Sequence, residues 1–334
     1  MGDKTSIEWT DATWNPIIGC SRVGPGCDHC YAIGVVHREM SPQHVGLTVK
    51  PEGGPTDWTD EVRPAGEKKL TEPLRWRKPR RIFVNSLSDL FHADLPDDEI
   101  AKVFAVMALA PQHTFQVLTK RPQRMAKLLA SPEFPLLVES AEVRHRYDHG
   151  MDCTPSGFSW PLTNVHLGVS IENDTYTWRA DHLRNTPAAV RFISAEPLLG
   201  PLPSLDLTGI DWLIVGGESG PGARPMHPDW VRDIRDRCAA CPHARHGDAR
   251  CPVCDGGALV GRPQLTAQHR GPAFLFKQWG DWAPAEMPGA RWAYVVGESN
   301  EASQMMWHHG KKAAGRELDG RTWDEYPNKE TTDA

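Results

Sequence analysis

Nowhere in the 334 residues is there an apolar run approaching the roughly 18 that cross a bilayer as a helix. The opening MGDKTSIEWTD also lacks the apolar stretch of a secretory signal, so a cytoplasmic chain with no membrane partner is expected. Positive charge is not in excess: 37 Lys+Arg stand against 43 Asp+Glu, for a formal −6. Bulk charge therefore does not hold this chain on nucleic acid, and any polyanion contact needs a local basic patch. No G-x-G-x-x-G opens a helix, which argues against a dinucleotide-binding, doubly wound sheet. There is no internal repeat and no low-complexity tract. Without a secretory signal, the eight cysteines are expected as reduced thiols, and grouped reduced thiols point to metal rather than to disulfides.

What is present is an ordinary globular composition, 40% hydrophobic and 24% charged, long enough for one large domain or two smaller ones. Short Val/Ile/Leu/Phe runs occur at residues 81–86, 114–119, 165–171, 190–195, 211–217 and 273–278, as in parallel strands buried on both faces. Residues 12–19 offer another strand, interrupted by Pro16. Helical patterns fall between them at 97–110, 122–130, 175–185 and 228–238, the first opening on an acidic turn and two others on proline. Strand–helix alternation predicts an α/β fold with a parallel sheet, and we expect an incomplete TIM-type (β/α) barrel. Residues 41–80 read as a long connection, 131–163 as an insertion, and the chain after Trp282 as a tail over the core. Residues 238–271 read as an inserted metal-binding module, with 1–237 and 272–334 forming the barrel.

The cysteines divide into three, four and one. Cys20-x6-Cys27-x2-Cys30 puts three thiols in a loop where Gly24, Pro25 and Gly26 allow a tight reversal. A closed zinc site or an electron-transfer iron–sulfur cluster uses four protein ligands, whereas three on a cubane leave one iron open. Zinc completed by His29, His37 or a remote residue is the alternative, and packed free thiols are another.

The blocks TSIEWTDATWNPIIGCSRVGPGCDHCYA, NSLSDLFHADLP, FQVLTKRPQRM, HLGVSIEN, FISAEPLLG, LIVGGESGPGARPM, FKQWGDW and GKKAAGRELDG, in this order, resemble a phage-associated family. That family is itself similar to radical S-adenosylmethionine (SAM) enzymes. The resemblance implies a [4Fe–4S] cluster on Cys20, Cys27 and Cys30 whose open iron is chelated by SAM. Its reductive cleavage would give a 5′-deoxyadenosyl radical that abstracts hydrogen from an unactivated carbon, with an electron-donor protein as partner. The commonest radical-SAM spacing is x3 then x2 with an aromatic residue before the third cysteine. Here the first gap is six, and His29 and Tyr31 flank Cys30.

In parallel barrels, ligand sites gather at the C-terminal ends of strands. Each apolar run here finishes in charged or hydrogen-bonding groups, and we expect a polar pocket there. Asp89 or Ser86 is expected to accept from the SAM ammonium, and Lys120 or Arg121 to pair with its carboxylate or a substrate phosphate. Glu172 and Asn173 are expected on the ribose, and Gly216 and Gly217 where backbone lies close to adenine. Ser170, Glu196 and His29 complete the expected cofactor-binding set. No catalytic residue is identified. Each of these groups has a plainer reading as a helix cap or surface turn.

Cys238-x2-Cys241-x9-Cys251-x2-Cys254 is a paired-knuckle pattern for structural zinc, with His243 or His246 as possible replacements for one cysteine and a second iron–sulfur cluster as the rival. Arg245, Arg250, Arg262 and His269 flank it and make nucleic-acid contact plausible there. Residues 68–81 carry seven Lys/Arg around Trp76, with Arg75, Arg77, Lys78, Arg80 and Arg81 as phosphate contacts and Trp76 as a stacking platform. The plainer reading is a solvated connection. Cys153 has no assignment.

Three functions are compatible with these features. The first is a radical SAM enzyme acting on nucleic acid or a nucleotide, in modification or repair. The second is a radical SAM enzyme on a peptide or small metabolite, with an auxiliary cluster. The third is a zinc-stabilised nucleic-acid-binding protein without catalysis.

Overall fold

A computed structural model describes residues 5–38, 42–239, 271–297 and 303–327. Seven strands make up the main sheet: β1 (Ala12–Trp14), β2 (Arg81–Val84), β3 (Thr114–Thr119), β4 (Val165–Ser170), β5 (Val190–Ala195), β6 (Trp212–Gly216) and β7 (Ala273–Gln278). They follow one another in the sheet in chain order. That order lacks the reversal of a doubly wound sheet and is the one a partial (β/α) barrel requires. The chain divides into two compact units, residues 1–170 with 178–191, and residues 171–177 with 192–334.

In the first unit β1, β2, β3 and β4 are parallel neighbours, with Ala12 opposite Ile82, Val84 opposite Val117, and Val117 opposite Leu167. Every residue of β4 is buried, as expected of a strand covered on both faces. The helices that follow are α1 (Tyr31–Arg38), α2 (Asp97–Leu109), α3 (Pro122–Leu129), α4 (Phe134–Asp148) and α5 (Trp178–Arg184). Asp97, Asp98 and Glu99 sit in the first turn of α2, where its dipole favours negative charge, and Ile100, Val103, Phe104 and Met107 face the core. Pro16 splits the expected first strand: Ile17–Ile18 leaves the sheet and pairs antiparallel with Arg63–Pro64.

The expected insertion, residues 131–163, carries a helix that the sequence pattern does not announce: α4 runs through it for 15 residues. Its core face is Phe134, Val138 and Glu142, while Leu136 is exposed, so no apolar stripe announces the helix. Glu142 is wholly buried and accepts from Arg146 Nε (2.9 Å), the Ser156 N–H (2.9 Å) and Ser156 Oγ (3.0 Å). A carboxylate with three donors takes a core position that an apolar residue would announce. Phe134 meets Phe104 edge-on at 5.4 Å.

In the second unit β5, β6 and β7 are parallel, with Leu213 between Ile193 and Phe274. Helix α6 (Pro228–Ala239) buries Val231, Ile234 and Cys238 on one face. The chain after Trp282 is more than a tail. Trp282–Ala283, Gln304–His308 and Trp292–Val295 form a three-stranded antiparallel sheet with Gln304–His308 in the middle. The residues beyond it return to β7, where the Phe276 N–H donates to Trp323 O and the Glu325 N–H to Phe274 O. That return covers the backbone of an otherwise open strand edge.

Candidate functional site

The cysteine loop is built on the segments that leave β1 and β2. Asn15 Oδ1 accepts from the Leu87 N–H (2.9 Å), and Ser88 Oγ donates to Ile17 O (2.8 Å). Asn85, at a positive φ of 59°, takes the Ile17 N–H on its side chain (3.4 Å). The two segments thus run side by side as far as a bridge between Gly19 and Ser88. Gly19 has φ +86°, and a Cβ there would lie 2.1 Å from Glu61 O, so only glycine fits. Cys20 comes next, delivered beside the loop that follows β2.

The six-residue gap to Cys27 is closed by a single guanidinium. Arg22 donates to Cys27 O (2.9 Å) and Asp28 O (3.1 Å) while its Nε pairs with Asp57 (2.7 Å). Pro25–Cys27 forms a 3-10 turn, and the Cys27 N–H donates to Gly24 O (2.9 Å). Cys30 stands immediately before α1, whose first residue, Tyr31, donates its hydroxyl to Ser86 O (2.6 Å). Ala32, Ile33 and Val36 of α1 pack with Ile18, Leu47, Trp58 and Leu87, and Cys20 and Cys30 lie against that cluster.

The three thiols sense one another. Burial pushes the Cys20 thiol up to about 12, Asp89 adds to this, Arg121 opposes it, and Cys30 and Cys27 raise it further. Cys30 is also raised, first by burial and then by Cys27, against the lowering effects of the Ala32 N–H and the Lys120 charge. Partly buried thiolates that repel each other form readily only beside a compensating cation, which is what a metal centre provides.

Around them lies a hydrogen-bonded frame. Asp89 is buried and accepts from Thr119 Oγ1 (2.7 Å), the Lys120 N–H (3.0 Å) and the Phe91 N–H (2.9 Å). Its carboxylate ties the end of β3 to the loop after β2, which makes it a positioning group more than an open acceptor. Arg121 donates to Ser21 Oγ (2.6 Å) and Ser21 O (3.2 Å). His92 Nδ1 accepts the Asp94 N–H (3.3 Å), so Nε2 carries the proton and donates to Ser21 Oγ (2.8 Å). Burial, then the Arg121 charge, holds His92 below the usual histidine range, so it is neutral at pH 7. Ser86 exchanges hydrogen bonds with the Asn15 amide (3.2 and 3.3 Å). His29 is exposed.

Strand ends in the second unit are arranged differently. Glu196 pairs with Lys277 at 2.9 Å, both largely buried, and takes a hydrogen bond from Ser194 Oγ (3.1 Å). A Cβ on Gly216 would lie 2.5 Å from Glu196 Oε1, and one on Gly217 would lie 2.0 Å from Trp279 O. The space a side chain would take at these two glycines is filled by the protein's own Glu196 and Trp279. Asn173 accepts the Thr175 N–H (3.1 Å) and caps the 3-10 turn Asp174–Tyr176. Glu172 is wholly buried, and its main-chain oxygen accepts the Leu199 N–H (2.7 Å). In the first unit, buried Ser170 likewise offers its carbonyl to Arg179 (2.7 Å).

The basic stretch is only partly as expected. Trp76 is 8% exposed, lies edge-on to His113 at 6.1 Å and is covered by the Arg80 guanidinium at 4.9 Å. Buried beneath Arg80 and against His113, it offers no open ring face of the kind a stacking platform needs. Arg81 is in β2 and paired with Asp11 (2.9 Å), which it holds below the usual carboxylate range. Arg75, Arg77 and Lys78 are exposed. Exposed aromatics lie elsewhere: Tyr31, Tyr147 and Trp178 in the first unit, and in the second Trp292 and Tyr294, on the antiparallel sheet with ring centroids 5.6 Å apart.

Of the second cysteine group only Cys238 falls among the described residues; Cys241, Cys251 and Cys254 lie outside them, as do His243, His246, Arg245, Arg250, Arg262 and His269. Cys238 is buried on the apolar face of α6, and burial raises its thiol. Cys153 is exposed. No helix among the described residues is long and apolar enough to cross a membrane.

Sequence reasoning missed Ser21, Arg22, Asn15 and His92. His92 stood in the block NSLSDLFHADLP, and its position just beyond Asp89 was the available signal. The model of a family described as a protein of unknown function (DUF5131) matches residues 4–244 and 263–327. Cys251 and Cys254 fall in the unmatched interval between those spans. No curated protein and no solved structure matches the chain.

Proposed function

The chain belongs to this family of unknown function, and we propose that it is a radical SAM enzyme acting on nucleic acid or a nucleotide. In this reading Cys20, Cys27 and Cys30 hold a [4Fe–4S] cluster. The observation that carries it is a single loop bearing Cys20, Cys27 and Cys30, tied down by Arg22, Arg121 and Tyr31, with Cys20 and Cys30 against one apolar cluster. The donor set suits the group: soft thiolates in a loop of fixed shape, with cations near them to offset their charge.

When bound, the cluster supplies the electron that cleaves SAM and so allows hydrogen to be taken from an unactivated carbon. The chain's own residues do the positioning. Arg22 fixes the loop from Cys27 to Asp28, and Arg121 and His92 together hold Ser21 and hence the backbone carrying Cys20. Asp89 sets the backbone of Lys120, whose charge reaches Cys30 and suits the carboxylate of an amino acid. Exposed Arg75, Arg77 and Lys78 of the first unit offer phosphate contacts. Structural zinc is assigned to the second cysteine group. Its ligands in this reading are Cys238, at the end of α6, with Cys241, Cys251 and Cys254.

Anaerobic purification and reconstitution test the proposal. A brown protein that releases 5′-deoxyadenosine from SAM under reduction, and a colourless Cys30→Ser variant that does not, are expected. A colourless wild-type protein containing only zinc overturns it. Salt-dependent binding of single-stranded oligonucleotides, weakened in R77A/K78A, is expected of the substrate class.

A further inference from the structure

A second group of metal-ligating side chains lies in the first unit, on residues that the reading above does not use. Glu67 opens the short helix Glu67–Leu70, His145 lies in the last turn of α4, and His149 follows that helix as its C-cap. One ligand atom from each of the three lies within 4.8 Å of the other two. Histidines four residues apart on a helix share a face, and their rings here are 4.2 Å apart.

The hydrogen bonding favours coordination. His149 Nδ1 lies 2.8 Å from the main-chain oxygen of His145, so it carries the proton and donates, leaving Nε2 with its lone pair outward. Such a bond from the distal nitrogen is the usual way a ligating imidazole is oriented. His145 Nδ1 and Glu67 Oε1 face each other at 3.7 Å, too far for a hydrogen bond. An ion between them would satisfy both.

We propose that Glu67, His145 and His149 bind a divalent transition metal ion, Zn²⁺ or a chemically similar ion, with water in the remaining position. Two imidazoles and a carboxylate suit Zn²⁺, Co²⁺ or Ni²⁺ better than the hard cations Mg²⁺ and Ca²⁺, and three protein ligands leave a coordination position open. The ion would join the end of α4 to residue 67, which immediately precedes the basic stretch 68–81. It is independent of either cysteine group.

Co²⁺ titration of the full-length, anaerobically purified protein tests this, followed by visible absorption. Wild type is expected to take up a single equivalent more than H145A/H149A. The difference spectrum should show d–d bands without thiolate-to-cobalt charge transfer. Glu67→Gln is expected to weaken that uptake by about tenfold or more, since even outer partners of a metal ligand carry that much. Equal uptake by wild type and H145A/H149A overturns the site, as does a difference spectrum carrying thiolate charge transfer. Unchanged affinity in E67Q overturns the carboxylate ligand. Should the alanine pair fail to match the metal-free wild type in far-UV circular dichroism, H145Q/H149Q takes its place with the same expected outcomes.

Discussion

The first unit spends its strand-end polar groups on holding a loop, whereas the second spends them on each other. After β2 and β3, Asp89, Arg121 and His92 are bonded to backbone or to Ser21, and what they hold is a run of three cysteines. After β5, β6 and β7, Glu196 is paired with Lys277 and Glu218 with Arg224. The residue types are the same in sequence, yet one set supports reactive groups and the other is internally neutralised. Polar strand ends therefore identify a rim but not a site; what matters is whether their hydrogen bonds end on one another or on something chemically able.

The sharpest way to break this contrast is to compare Cys20→Ala with Glu196→Gln after anaerobic iron reconstitution. The first is expected to lose the brown chromophore entirely and the second to retain it; loss in both would make the two regions functionally equivalent. Stability gives the next largest effect. Lys277→Met strands a largely buried Glu196 and is expected to cost about 3 kcal/mol in urea unfolding, with E196Q/K277M recovering most of it. A double variant no better than the single one would show that the pair is more than mutual neutralisation. Asp89→Ala leaves two backbone N–H groups and the Thr119 hydroxyl unpaired, at about 2 kcal/mol, and should also lower the iron retained per chain. Normal iron content in that variant would mean the frame does not position the loop.

The smallest effect concerns an exposed ion pair of the second unit. Arg232 and Arg235 hydrogen-bond to Asp319 and hold it at about 2, below its ordinary 3.8. Its folded-state pKa is depressed, so its stabilisation is present above about pH 4 and fades as the pH falls through about 2. Asp319 has φ 53°, which asparagine tolerates, so Asp319→Asn removes charge without changing the backbone requirement. A fall of about 1–2 °C in Tm at pH 7 is expected, narrowing as pH is lowered toward 2. An equal difference at every pH would remove the charge as its cause.

The parallel strands were legible because strands buried on both faces must be nearly all apolar, and β3, β5 and β7 begin and end where their runs do. Helix α4 was not, since Glu142 occupies a core position and Leu136 a surface one. The three-stranded sheet after Trp282 was also hidden, because its strands are short and two of them lie across more than twenty residues of sequence. Trp76 misled for a related reason: aromatic among cations reads as a stacking platform, but its surroundings bury it.

By itself the sequence determined the kind of fold and the grouping of cysteines as three, four and one, because apolar periodicity and ligand spacing are properties of a chain. Only the tertiary structure decided which polar groups are spent. That Asp89 is committed to β3, that Gly217 makes room for Trp279, and that Glu67 meets His145 and His149 all depend on which distant segments come together. A side chain's chemistry is carried by its residue type, but its availability is set by the partners that folding brings to it.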